Sequence, residues 1–147
     1  MKKDQIIILK ERGLISVSGH DAKDFLQNIL TNDVDKVDKL NSIFSAILTP
    51  QGKYLYDFFV IKSFDGYILD CASEFTKEIL EHLAKYKLRS KIEIQDLSSN
   101  YVVGIINFDK FKEIQLLINK KAETINFREC PVFIDPRASE LGARILS

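Results

Sequence analysis

The apolar residues of this chain alternate between two periods, and the switches between them lay out its elements. Short apolar runs at residues 5–10 and 14–18, parted by Glu11-Arg12-Gly13, read as strands. Ala22, Phe25, Leu26, Ile29 and Leu30 then recur at helical spacing. Ser18 is the expected cap of that helix, with Asp21 as its return partner, and Asn32 is the expected left-handed stop. Asp35 to Asn41 is polar and reads as a loop. Ile43 to Leu48 and Tyr54 to Ile61 read as a hairpin about Pro50-Gln51-Gly52, where Pro50 presets the second position of a type I turn and Gly52 suits the fourth. Asp65-Gly66 marks a further turn, and Tyr67 to Cys71 a third strand. Ser73 is the expected cap of a second helix, with Phe75, Ile79, Leu83 and Tyr86 on one face. Ile92 to Gln95, Tyr101 to Asn107 and Ile114 to Ile118 read as further strands. From about residue 120 the pattern weakens, and Glu140 to Ser147 read as stopping without a closing element.

Two helices among many short, sequence-adjacent strands predict an α+β fold, an antiparallel sheet with two main helices packed on it. A length of 147 residues fits one domain with a real core. The balance of 21 basic and 21 acidic residues leaves no bulk charge to draw the chain to nucleic acid or membrane. Only four consecutive large aliphatics, Ile6 to Leu9, follow the polar start, too few for a signal core or a span. Cys71 and Cys130 are too few for a disulfide framework and lack metal-ligand spacing. These features together predict a cytoplasmic protein.

Chemistry gathers at two places. Past the Pro50–Gly52 turn, period two puts Leu55, Asp57, Phe59 and Ile61 on one face, and an ionised carboxylate among apolar neighbours is costly without a partner. Two readings stay open. Asp57 faces solvent or a neighbouring backbone N–H, or it accepts N–H groups of a planar ligand framed by Tyr54, Tyr56, Phe58 and Phe59. The run Lys85-Tyr86-Lys87-Leu88-Arg89-Ser90-Lys91 is the second place. Its cations complement a helix C-terminus or receive carboxylates or phosphates, with Arg89 the best receptor because its planar fork pairs two oxygens. His20 and His82 read as surface helix residues, and Cys71 as a small buried one. With no Gly-rich phosphate loop, Gly-x-Ser-x-Gly or His-Glu-x-x-His, no catalytic residue and no metal ligand is assigned.

Four blocks in order carry a family resemblance. They are Val17-Ser18-Gly19-His20-Asp21-Ala22 leading to Leu30-Thr31-Asn32-Asp33-Val34, then Thr49-Pro50-Gln51-Gly52-Lys53, then Tyr86-Lys87-Leu88-Arg89-Ser90-Lys91-Ile92, and finally Asp135-Pro136-Arg137 with Glu140-Leu141-Gly142-Ala143-Arg144. In this the chain resembles the N-terminal half of the folate-binding YgfZ-like proteins, relatives of the glycine-cleavage T-protein, an aminomethyltransferase. The resemblance implies an aminomethyltransferase-like folate-binding domain over residues 1–147, truncated after about residue 137. It implies a cleft for tetrahydrofolate or a derivative, with Asp57, Tyr56, Tyr54 and Arg89 as ligand contacts. In the aminomethyltransferases two consecutive acids follow the glycine turn, and here Tyr56-Asp57 stands in that place, which favours the YgfZ branch over methylene transfer. That branch is linked to iron–sulfur cluster assembly or repair and, in bacteria, to tRNA modification. The implied partners are folate and iron–sulfur client proteins, and the implied unfinished face would suit a homodimer. The alternatives are a tetrahydrofolate-dependent aminomethyltransferase-like enzyme and a structural domain without ligand. Family members also carry a downstream Lys-x-Cys-x-x-Gly-Gln-Glu motif, which does not occur in these residues.

Overall fold

A computed structural model describes residues 5–119 and 121–147. Among the described residues, ten strands form two antiparallel five-stranded sheets, accompanied by three α-helices. The first sheet runs in the order β3 (Ile43–Leu48), β4 (Tyr54–Lys62), β5 (Gly66–Ala72), β2 (Arg12–Ser18), β6 (Glu93–Asp96). The second runs β1 (Ile7–Leu9), β7 (Val103–Ile106), β10 (Ala143–Leu146), β9 (Cys130–Ile134), β8 (Thr124–Phe127). The α+β antiparallel architecture expected from the periodicity is present, with a second sheet and a third helix added to it.

Each layer is set by the alternation of its strands. On the first sheet, Ile15, Val17, Phe58, Val60, Tyr67 and Leu69 point toward α1 (Ala22–Ile29) and α2 (Thr76–Lys87), where Phe25, Leu26, Ile79 and Leu83 bury against them. Their strand neighbours Leu14, Phe59, Ile61 and Ile68 point the other way and meet Val103, Phe133 and Leu146 of the second sheet. The far side of the second sheet is closed by α3 (Phe108–Leu117), whose Phe111 and Ile114 pack on Ile106, Ile125, Val132 and Ala143. Tightly buried strand residues at alternating positions therefore serve two different cores.

Several local expectations are corrected. Ser18 stays in β2, and Asp21 precedes α1 without a capping bond from its side chain. The Asp21 carboxylate instead accepts the Lys91 backbone N–H at 2.7 Å, tying α1 to the segment after α2. The helix ends at Leu30 in an extended conformation, and Asn32 turns its amide onto the Phe44 carbonyl at 3.1 Å. Ser73 opens a 3-10 turn, Ser73–Phe75, before α2 begins, and its N–H goes to the Glu11 carbonyl. Ile114 to Ile118 is not a strand but the end of α3 and its cap. The Asn107 side chain accepts the Lys110 N–H at 2.8 Å, and Phe108, Phe111, Ile114 and Ile118 follow at helical spacing.

The weak pattern past residue 120 conceals three strands. Glu140 to Ser147 does supply an element: β10 lies between β7 and β9, with Ile145 opposite both Gly104 and Val132. A four-residue strand paired on both sides needs little sequence signal of its own, because its neighbours supply the ladder.

Candidate functional site

The hairpin that holds Asp57 is built as its turn residues dictate. The Gly52 N–H bonds the Thr49 carbonyl at 2.9 Å, closing the type I turn, and Gly52 sits at φ +86°, which the three-residue loop requires. Beyond it the ladder slips. Ile47 pairs Tyr56 and Leu48 pairs Tyr54, so Leu55 is the extra residue of a β-bulge. This corrects the expected face. Leu55 joins Tyr56 on the helix-side core, while Asp57 keeps company with Phe59 and Ile61 toward the second sheet. Tyr54, one step before the bulge, comes to Asp57. Although most of its ring is exposed, desolvation and the Asp57 carboxylate push its phenol up to about 12.

Opposite Asp57, at the mouth between the sheets, stands Arg137. Asp135 is buried and grips it in a two-bond fork, Arg137 Nε to Oδ1 at 2.9 Å and Nη2 to Oδ2 at 2.6 Å. The guanidinium lies over the Phe44 ring at 5.3 Å and the Phe59 ring at 4.9 Å. Phe44 and Phe59 are cross-strand partners, and Asp57 is the next residue of β4 on that face. The Asp135 bonds and the charges of Asp135 and Asp57 hold Arg137 above its ordinary pKa. An open groove of about 550 Å³, lined by Phe44, Pro136, Asn32 and Glu123 among others, lies beside the mouth.

Under this mouth is a second charged layer. Asp70 has no solvent exposure and binds two arginines, Arg12 Nε at 2.7 Å and Arg144 Nη1 at 3.2 Å. The Phe59 ring thus has three guanidinium groups over it, Arg144 at 4.1 Å, Arg137 at 4.9 Å and Arg12 at 5.9 Å. The Arg144 Nε is buried with no hydrogen-bond partner. Asp70 and Arg137 were not read as site residues from the sequence. A signal for Asp70 was there: it is a lone carboxylate in the apolar strand Tyr67 to Cys71, the same kind of oddity as Asp57.

The four expected ligand contacts do not all converge. Tyr54 and Asp57 meet at the mouth. Tyr56 projects to the other side of the sheet, where its hydroxyl donates to Glu78 at 2.9 Å and its ring packs near Phe75 and His82. Arg89 is exposed in the turn after α2, on the helix side, and pairs with no described residue. His20 is exposed beside Asp21, and His82 lies between the rings of Tyr56 and Tyr86. Cys71 is buried, and burial pushes its thiol up. Among the described residues no group of three His, Cys, Asp or Glu side chains could hold a metal ion. No described helix is long and apolar enough to cross a membrane. The mouth itself offers a carboxylate acceptor, a phenol and a guanidinium seated on aromatic rings.

Known proteins give this geometry a context. "Iron-sulfur cluster assembly factor IBA57 homolog, mitochondrial" of Dictyostelium discoideum is 28% identical over 170 residues, covering 98% of this chain and 41% of that protein. The protein of the same name from Mycosarcoma maydis is 30% identical over 146 residues, covering 90% of this chain and 34% of its own length. This chain therefore spans about a third to two-fifths of these relatives. The glycine cleavage system aminomethyltransferase T of Bartonella henselae superimposes with a TM-score of 0.76 at 15% identity, over 96% of this chain and 41% of that one. At that identity the likeness is one of fold, and it bears out the aminomethyltransferase-like architecture. The expected cytoplasmic location is corrected, because these relatives are named as mitochondrial. Charge balance and cysteine count do not distinguish one reducing compartment from another. The family model described as the GCVT N-terminal domain matches residues 6–107, most of the chain, and the chain belongs to that family.

Proposed function

We propose that this chain is a folate-binding module of an iron–sulfur cluster assembly factor, an accessory protein rather than an enzyme. The observation that carries the reading is the placement of Asp57. It stands on the face between the sheets, joined by Tyr54 and facing Arg137, where a planar ligand with N–H donors would find an acceptor. The fold and family are those of an aminomethyltransferase domain, and the relatives are named for iron–sulfur assembly. The second acid of the aminomethyltransferase pattern is replaced by Tyr56, which is turned away to Glu78. That leaves one carboxylate at the mouth, enough to hold a ligand and short of the paired acids associated with transfer chemistry. Service to iron–sulfur client proteins and a link to tRNA modification belong to the same proposal.

Calorimetric titration of a reduced folate into the protein tests it. Saturable binding is expected, weakened about tenfold or more by Asp57→Ala, since a hydrogen bond to a charged group is worth about 1.5–3 kcal/mol. A folded sample that takes up no folate would sink the proposal. Arg89→Ala is the second arm: weaker binding assigns Arg89 to the ligand's acidic tail, and unchanged binding removes it from the site.

A further inference from the structure

We propose that the turn after α2, Lys87 to Ser90, and the groove beside it dock an acidic segment of a partner protein. A bulky apolar side chain of that segment fills the groove against Leu88, and its carboxylates pair with Lys87 and Arg89. The site lies among α1, α2 and the turn, on the helix side of the first sheet, and the inference stands independently of the folate reading.

The turn carries a leucine where the backbone favours glycine. Leu88 sits at φ +46° and ψ −116°, the first central position of a type II′ turn, and the Ser90 N–H closes that turn on the Lys87 carbonyl at 2.9 Å. Its side chain is nevertheless 85% exposed. Glycine would relieve the strain and a polar residue the exposure, so neither feature serves the fold of this chain. The segment is also held firmly. Asp21 accepts the Lys91 N–H at 2.7 Å and returns its own N–H to the Lys91 carbonyl at 3.3 Å, which stitches the turn to the start of α1.

Around Leu88 the chemistry is amphipathic. Lys85, Lys87, Arg89 and Lys91 alternate through a short run of a chain with no net charge, and none is ion-paired with a described residue. Lys85 and Lys87 complement the C-terminus of α2, but Arg89 and Lys91 lie beyond the helix. Between this turn and α1 runs a groove of about 490 Å³, its apolar lining supplied by Phe25, Ile29, Tyr86 and Leu88. Lys87 stands on one wall, and Asp21 and Asp24 line the other. An apolar slot with a cationic wall suits an aliphatic or aromatic anchor flanked by Asp or Glu. The acidic wall decides against an anionic membrane or a nucleic acid, because either would press a field of phosphates onto Asp21 and Asp24. A peptide segment avoids that by placing its carboxylates at the turn alone.

Two-dimensional NMR of the isotope-labelled protein tests this with an acetylated Glu-Asp-Leu-Phe-Asp-Glu peptide as probe and Glu-Asp-Ser-Ser-Asp-Glu as control. The probe is expected to shift amides of α1 and of Tyr86 to Lys91 saturably, and the control to bind at least about tenfold more weakly, the worth of one buried anchor. Leu88→Gly and Arg89→Ala are each expected to weaken the probe by about tenfold. Because Leu88→Gly removes strain, its thermal unfolding midpoint is expected to hold or rise while binding falls. An idle surface leucine would give the first effect without the second. The proposal is overturned by the absence of saturable shifts on the helix side, by equal binding of the control, or by probe binding that Leu88→Gly leaves unchanged. Pelleting with phosphatidylserine vesicles without binding of the probe overturns it in favour of a membrane. Shifts of the same amides by a reduced folate, with none by the probe, assign the run to folate and overturn it as well.

Discussion

Tyr54 shares a strand face with Asp57, whose carboxylate raises its phenol, although they stand three positions apart along one strand. In a regular strand such a pair points to opposite faces. The bulge at Leu55 adds one residue, reverses the alternation and sends both side chains to the mouth between the sheets, while Leu55 and Tyr56 turn together to the helix side. One extra residue thus decides which tyrosine belongs to the candidate site.

The Tyr54–Asp57 contact has a spectroscopic consequence. With tyrosine carrying a 13C label in the ring, the Tyr54 signal is expected to titrate at about 12 in the wild type and to move down in Asp57→Asn. Burial remains in the variant, so the value stays above the ordinary 10.0. A Tyr54 signal that titrates at 10 in the wild type refutes the contact.

Removing Asp70 is expected to cost far more than removing a surface acid. Asp70→Asn leaves the Arg12 and Arg144 guanidiniums without their carboxylate in the packed layer between the sheets, at about 3–5 kcal/mol. Asp65→Asn, at an exposed turn, is expected to stay within about 0.5 kcal/mol. Urea unfolding of the two variants beside the wild type gives both numbers, and equal midpoints would contradict the buried network.

Acid stability reports on Asp135. Burial alone would raise its carboxyl, but the Arg137 bonds and the Arg137 and Arg144 charges outweigh burial and hold it below the ordinary 3.8. A carboxylate depressed in the fold stabilises fully above the unfolded value, and that contribution disappears as pH falls through the lower folded value. Asp135→Asn is expected to flatten the acid limb of unfolding free energy below about pH 4. An unchanged slope would mean that Asp135 does not carry this dependence.

The two thiols are expected to behave differently. Cys71 is fully buried, its thiol donates to the Gly13 carbonyl at 3.4 Å, and burial holds it in the unreactive protonated form. Cys130 is partly exposed. Under native conditions a maleimide should label Cys130 quickly and Cys71 only after denaturation, as mass spectrometry of the labelled peptides will read. Fast native labelling of Cys71 would mean that this part of the first sheet opens.

What the sequence determined by itself is what depends on near neighbours. Thr49-Pro50-Gln51-Gly52 specifies its own turn, the apolar stripe of α1 and the Ile79–Leu83 centre of the expected α2 stripe specify which faces are buried (Phe75 and Tyr86 at its ends are exposed), and Asp57 announces itself as a carboxylate among apolar residues. Sequence-adjacent strands and those stripes were enough for an α+β fold, and four short blocks were enough for the family. The tertiary structure decided everything that rests on distant partners. Register against β3 made the bulge at Leu55, and so exchanged Tyr56 for Tyr54 beside Asp57. Flanking strands drew Ala143–Leu146 into the centre of the second sheet, and that sheet delivered Arg137 and Arg144 onto Phe59. Local spacing carries no record of a contact between residues 74 positions apart, such as Asp70 and Arg144, because chain folding alone brings those charges together.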